Sequence, residues 1–473
     1  MDGPRPITLT QAHLGEIGLR GVPVPTYDRA RLRPRIVHIG VGGFHRAHFA
    51  LYTHELAEAG WDWGIVGLGL LPQDAAMAAA LRPQDHLYTL IERGNAEPTA
   101  AVVGSITAFV HAPAGHDAAV VDLVAAPATA ILSLTVTEAG YTDPSPTFDR
   151  IAAALAVRRE RSGAPLTILS FDNMPGNGNA ARRATMAAAA RYDASLASWV
   201  QRNCTFPNSM VDRITPVTGD ADRGWLLETG GIDDRWPVVA EPFRQWVLED
   251  DFAAGRPAWE DVGALFTDRV HDWELYKLRL LNAAHSCMAY LSALAGITYV
   301  HEAMAVPAIQ TFLDALLYQE AMPALPAIPG HPREDYIASV LERFANSGVR
   351  DQIARLCVDG SAKFPAFLIP TIVHQLESGG PINRSATALA GWARYLGVVD
   401  DAEQSFDASA DVARRYAADA MSEPLAFLEY DAVFPAAVRN SERFREAFAD
   451  SYRRIAGEGP IAAMDRQRAR EAL

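Results

Sequence analysis

The sequence predicts an α/β protein built from a doubly wound parallel sheet followed by an all-helical domain. Three observations predict it. The chain has 473 residues, well beyond the length of one ordinary domain. Short apolar runs alternate with alanine-rich helical stretches through the first half. From Asp268 onward only helical periodicity remains, punctuated by Pro and Gly. The domains are accordingly set at 1–267 and 268–473.

The individual elements follow from the same patterns. Pro34 to Ile39 (PRIVHI) is a short buried strand that runs straight into a glycine turn, with a helix expected from about Arg46 to Ala59. Trp63 to Leu68, Ala128 to Val136 and Leu166 to Ser170 are three more strands. Helices are expected at Asp149 to Arg161 and Asn179 to Arg191. The second half offers His271 to Ala295, Val306 to Glu320, Arg333 to Ala345, Ala386 to Leu396, Asp401 to Ala418 and Ala436 to Ala456.

Composition excludes several classes of function. Hydrophobic residues make up 49% and charged residues 21%, ordinary for a chain with real cores. A net charge of −15 argues against a protein that grips the nucleic-acid backbone, and against attraction to anionic membranes. Cys204, Cys287 and Cys357 are widely spaced and form no CxxC pair, so neither a disulfide framework nor a zinc knuckle is expected. The opening MDGPRPITLT has no apolar segment of the signal-peptide kind, and no run reaches roughly 18 apolar residues. A cytoplasmic setting fits these features.

The glycine turn reads IGVGGFHRAH, with Gly40, Gly42 and Gly43 after the first strand. Glycines there permit a tight turn and let backbone N–H groups approach a pyrophosphate, as in Rossmann-type dinucleotide sites. Phe44, His45 and Arg46 belong to the same candidate cofactor turn. His45 stands where the third glycine of G-x-G-x-x-G would be. The usual acid at the end of the second strand is missing; Asp74 is the first carboxylate after it. Asp74 is thus a candidate for the adenosine ribose hydroxyls, where it would disfavour the extra phosphate of NADP. Its alternative is to cap the helix that follows.

The segment WELYKLRLLNAAHSCM carries Lys277, Asn282 and His285. On an α-helical wheel of ~100° per residue, with Lys277 at zero, Asn282 falls near ~140° and His285 near ~80°. Burying three such groups without partners costs roughly a few kcal/mol each, so their gathering on an apolar helix points to a site. The chemistry they suit is hydride transfer. A desolvated lysine can take an alcohol proton as hydride leaves carbon, a carboxamide can donate to the developing oxyanion, and an imidazole can orient a neighbouring hydroxyl.

These motifs, with SLTVTEAGY at Ser133 to Tyr141, SFDNMPGNG at Ser170 to Gly178 and MVDRITP at Met210 to Pro216, resemble the polyol-specific long-chain dehydrogenases. That family includes mannitol 2-dehydrogenase, D-arabinitol dehydrogenase and the hexuronate reductases. The resemblance runs from about Ile36 to Leu396. It implies NAD as cofactor, a polyol or sugar-acid substrate, catalysis without metal, and a monomer or weak homodimer. It implies Lys277 as general acid/base, Asn173 with Asn282 as the oxyanion hole, and Glu138 as the carboxylate passing protons to solvent. Arg355 and Lys363 resemble positions that contact substrate hydroxyls. Val358 departs from the histidine carried by mannitol-active relatives, and a valine cannot bond a distal hydroxyl, which loosens discrimination there. The leading expectation is a D-mannitol, D-arabinitol or D-sorbitol dehydrogenase. The alternatives are a reductase of fructuronate or tagaturonate and a dinucleotide-binding protein of the same fold without catalysis.

Overall fold

The computed structural model describes residues 5–399 and 410–471. The chain divides into two compact units, Met1–His271 and Asp272–Leu473.

The first unit is organised by a six-stranded sheet: β1 (Arg33–Ile39), β2 (Trp63–Gly69), β3 (Ile106–His111), β4 (Ile131–Leu134), β5 (Leu166–Ser170) and β6 (Cys204–Thr205). The strands lie side by side in the order β3-β2-β1-β4-β5-β6, all parallel. Successive strand residues face opposite sides, and both sides are covered. Ile36, Ile65 and Ile131 join one core with Phe49, Phe171, Trp246 and Trp259. Val37, Leu68 and Leu132 join a second core with Phe148, Leu155 and Ala181 on the helices Pro146–Arg161 and Asn177–Tyr192. Burial on both faces is why these strands read as continuous apolar runs rather than alternating ones.

The chain leaves β1 for β2 and β3 on one side, then crosses to β4, β5 and β6 on the other. The strand order therefore reverses between β1 and β4, which pair from Ile36↔Ile131 to Ile39↔Leu134. In such sheets ligands bind outside the carboxyl ends of the strands at this reversal.

Several elements differ from expectation. The strand expected over Ala128 to Val136 is confined to Ile131–Leu134, because Thr135 and its successors peel away into a loop. The helix expected from Arg46 to Ala59 is two pieces, Gly43–Ala47 and Phe49–Glu58, broken at His48 with φ −121° and ψ −86°. Strand β3 and smaller sheets formed by Tyr88–Glu92, Thr99–Val103 and Val238–Ala240, and by Ser209–Asp212, Gln245–Leu248 and Leu265–Phe266, escaped the sequence pattern altogether.

The second unit is helical. One of its helices, Asn383–Val398, is buried on nearly every side from Arg384 to Ala393. Trp392 packs edge-on against Phe427 and tilted against Phe364 and Tyr290. The backbone at the start of this helix is capped from elsewhere in the chain. The buried Glu320 carboxylate accepts from the Arg384 N–H at 2.8 Å, the Ser385 N–H at 2.9 Å and the Ser385 hydroxyl at 2.5 Å. Helix Ala410–Ala420 covers the later part of the stretch expected at Asp401 to Ala418; the rest lies outside the described residues. Ala436 to Ala456 resolves into Ala436–Arg439 and Glu442–Glu458. No helix among the described residues is long and apolar enough to cross a membrane.

Candidate active site

The glycine turn sits at the reversal point. Gly40 has φ +94°, and a Cβ there would stand 2.1 Å from the Thr135 carbonyl oxygen, so only glycine fits. Above Gly42 the space is open: a Cβ would meet nothing nearer than the Gly40 oxygen at 3.9 Å. That opening at the carboxyl ends of β1 and β4 fits the backbone approach of a dinucleotide pyrophosphate.

The side chains of His45 and Arg46 turn away into the core. His45 is buried and stacks flat on His38, with ring centroids 3.6 Å apart. Arg46 is equally buried, donates to the Trp236 carbonyl and lies over the Tyr88 ring. The third glycine of the standard motif serves close helix–strand packing, and the His45–His38 stack takes that place. His38 itself bonds the Ser133 hydroxyl at 2.9 Å and the Thr135 hydroxyl at 3.1 Å. Burial pushes it down to about 3, so it is neutral at physiological pH. Phe44 is half-buried and stacks on His48.

Asp74 opens the helix Asp74–Leu81 and accepts from the Leu71 N–H at 2.9 Å. That bond ties it back to the turn before the helix, and its carboxylate takes no N–H of the helix itself. Asp74 also packs on the carboxyl end of β2, where a Cβ on Gly69 would meet its own at 2.5 Å.

The ends of β4 and β5 bring Glu138 and Asn173 onto neighbouring loops. Both side chains are exposed. Glu138 begins a short turn to Tyr141, directly after Thr137, whose φ is +62°. Asp172 precedes Asn173 and is buried, accepting from the Thr137 N–H at 2.8 Å and the Tyr141 hydroxyl at 2.6 Å.

In the second unit the stretch expected as one α-helix from His271 to Ala295 is three segments: Val270–Tyr276, a π-helical turn Lys277–Asn282, and Ala283–Leu294. The wheel's angles therefore do not apply across this segment. In a π-turn the hydrogen bond links residues i and i+5, and Lys277 and Asn282 are five apart, so the wider winding brings the amide round toward the lysine's side. Such bulges are rare and concentrate at functional sites. Lys277 is 7% exposed and Asn282 half-buried. His285 is buried and stacks on Phe344, centroids 4.0 Å apart.

The sequence reading passed over Glu274. It stands three residues before Lys277 and is 5% exposed, as buried as the lysine. Residues at that spacing are neighbours on a helix, and a buried ammonium requires a compensating charge. The E-x-x-K spacing was the signal available.

Arg355 and Lys363 lie on consecutive short helices, Ile353–Leu356 and Gly360–Phe367, joined through Asp359 at φ +56°. Arg355 is exposed and bound by both carboxylate oxygens of Asp351, at 2.8 and 2.6 Å. Lys363 donates to the Leu356 carbonyl at 3.3 Å. Val358 is half-buried between them in sequence.

Comparison with known proteins decides the family. Residues 34–261 match the model of the mannitol dehydrogenase Rossmann domain, and residues 269–456 that of the mannitol dehydrogenase C-terminal domain. This chain belongs to the mannitol dehydrogenase family. It is 40% identical over 496 residues to mannitol 2-dehydrogenase of Aspergillus terreus, covering 97% of this chain and 99% of the relative. A mannitol dehydrogenase of Saccharomyces cerevisiae is 41% identical over 473 residues, covering 94% of each. The structure resembles Pseudomonas fluorescens mannitol 2-dehydrogenase, solved as a ternary complex with NAD and D-mannitol. The two share a TM-score of 0.88 and 38% identity, over 98% of this chain and 99% of that one. A D-sorbitol dehydrogenase in substrate-free form gives a TM-score of 0.85 at 32% identity, over 97% and 100%.

Proposed function

We propose that this mannitol dehydrogenase family member oxidises a secondary alcohol of a linear polyol to the ketone with NAD, taking D-mannitol to D-fructose in the first instance. The observation that carries the reading is the buried Lys277 at one end of a π-turn whose other end is Asn282. The matches over nearly full length to mannitol 2-dehydrogenases support the substrate class.

NAD, when bound, supplies the acceptor for the hydride that leaves carbon. The chain's own residues handle the proton and the charge. Lys277 takes the hydroxyl proton on its amine and, in reverse, returns it from the ammonium. Asn173 and Asn282 donate hydrogen bonds to the oxygen as negative charge builds in the transition state. His285, Arg355 and Lys363 hold other hydroxyls of the substrate and fix which carbon reacts. Gly40, Gly42 and Gly43 let the backbone approach the pyrophosphate, and Asp74 meets the adenosine ribose.

The test is an initial-rate panel of C5 and C6 polyols and of keto-uronates, with NAD and with NADP. NADH formation from D-mannitol or a close polyol is expected. Turnover of keto-uronates alone would replace the substrate class, and NADH binding with no turnover of either would leave a dinucleotide-binding protein.

A further inference from the structure

Two strand-end loops of the first unit meet at one buried carboxylate. The β4–β5 ladder ends at the pair Leu134↔Ser170, and one more backbone bond, from the Phe171 N–H to the Leu134 carbonyl at 2.9 Å, closes it. Beyond that point the Asp172 side chain takes over the link between the two segments. It accepts from the Val136 N–H at 3.2 Å, the Thr137 N–H at 2.8 Å and the Tyr141 hydroxyl at 2.6 Å. The Tyr141 oxygen is also 2.7 Å from the Ser170 hydroxyl, which the Asp172 N–H reaches at 3.2 Å.

The loop so held is strained. Thr137 is β-branched and sits at φ +62°, ψ 167°. A non-glycine residue in so sparsely populated a region costs about 1–3 kcal/mol and persists only where its surroundings over-determine it. The bond from its own N–H to Asp172 is part of that determination. Two residues earlier, Thr135 donates its hydroxyl to the Gly40 carbonyl at 2.5 Å, so the same loop is tied to the glycine turn. On the other side, the Asp172 carbonyl accepts from Asn177 Nδ2 at 3.1 Å and from the Met174 N–H at 2.9 Å. Asn173 therefore projects from a backbone fixed on both flanks.

We propose that Asp172 is a positioning residue for the reaction: its carboxylate, with the Tyr141 hydroxyl, sets the Thr137–Glu138 loop and Asn173 in register at the cofactor end of the sheet. Both of its oxygens are engaged by donors of the β4 loop, so it neither moves the substrate proton nor touches substrate. The proposal rests on the reading of Asn173 as a donor to the reacting oxygen.

The experiment uses the full chain with Asp172→Asn, Tyr141→Phe and Asn173→Ala, measuring kcat and KM for D-mannitol, melting temperature, and NADH affinity by fluorescence titration. Tyr141→Phe removes one donor and leaves the backbone bonds, so it is the variant that keeps the question open should Asp172→Asn fail to fold. Tyr141→Phe is expected to lower kcat about tenfold and Asp172→Asn about a hundredfold, because sub-ångström misplacement is costly to rate. NADH affinity is expected to stay within about threefold, since the glycine turn is intact. Folded Tyr141→Phe and Asp172→Asn proteins with unchanged kcat, beside an impaired Asn173→Ala, would overturn the clamp alone. A fall in NADH affinity matching the fall in kcat would make Asp172 a cofactor-site support and also overturn it. Unchanged kcat in Asn173→Ala would remove the donor reading and the proposal with it.

Discussion

At the scale of single residues, Lys277 and Glu274 are both buried, three positions apart. An ammonium this deeply buried needs a charge partner, and a buried carboxylate one turn away is placed to be one. Truncating Lys277 to alanine removes the proton acceptor proposed above; kcat for polyol oxidation is expected to fall by about 10³ or more with NADH affinity little changed. Normal turnover in Lys277→Ala would take the lysine out of the mechanism. The proposed relay of the lysine's proton to solvent has two carboxylate candidates: Glu138, exposed on the β4 loop, and the buried Glu274. Glu274 shares the lysine's helix, so Glu274→Gln is expected to slow turnover at least about tenfold and Glu138→Gln much less. The reverse order in stopped-flow proton-release rates would restore Glu138. Gly40 permits a sharper prediction. With φ +94° and the Thr135 oxygen 2.1 Å from a Cβ, Gly40→Ala combines backbone strain with a clash. It is expected to cost about 2–3 kcal/mol or more and to abolish NADH binding. An alanine variant that melts like the parent would show that the turn can relax.

At the scale of elements, what the sequence shows depends on whether a period or a contact defines the element. Strands β1, β2 and β5 are legible because burial on both faces makes them apolar throughout, and turns punctuate them. The segment ITAFVH of β3 has no such contrast with its surroundings, and its strand character comes from pairing with β2. The Lys277 cluster was legible as three polar groups on an apolar stretch, but its arrangement was not. A wheel assumes one winding, whereas the backbone adds a π-turn at the lysine. Asp172 carries no signal of its own in the sequence, because its partners, Val136, Thr137 and Tyr141, lie more than 30 positions away. A second π-turn, Leu316–Ala321, carries Glu320 to the start of helix Asn383–Val398. Burial pushes this carboxyl from its ordinary 4.5 up to about 7. Between those values the native state keeps a proton that the unfolded chain releases, so this group lowers stability as pH rises across the window. The magnitude is about 3 kcal/mol. In Glu320→Gln that slope disappears. The stability gap between parent and variant, read from urea melts, is expected to narrow from pH 5 to pH 8. A gap independent of pH would mean that Glu320 is ionised throughout.

For the whole molecule the same linkage separates the two units. The first unit buries four histidines in neutral form: His38 and His48 are pushed down to about 3 and His54 to about 4, and His45 is lowered well below the ordinary 6.5. Desolvation is the leading cause in each case. Below pH 6.5 the unfolded chain takes up protons that these rings refuse in the native state, so their contribution to stability is lost as pH falls toward 3 to 4. Asp172 and Asp234, buried carboxyls whose values are raised, oppose this within the same unit. The four buried histidines, joined by His86 and opposed also by Asp251, weigh toward a sheet unit weaker in acid, while Glu320 makes the helical unit firmer over the range where the histidines begin to titrate. Acidification from pH 7.5 to 5 is therefore expected to expose the sheet unit first. Hydrogen exchange read by peptide should show 33–39 and 131–134 losing protection while 383–398 retains it, and calorimetry should resolve a low-temperature shoulder as two-state behaviour breaks down. Equal loss of protection in both regions would mean that the units unfold as one cooperative body and that the buried histidines do not set the acid limit.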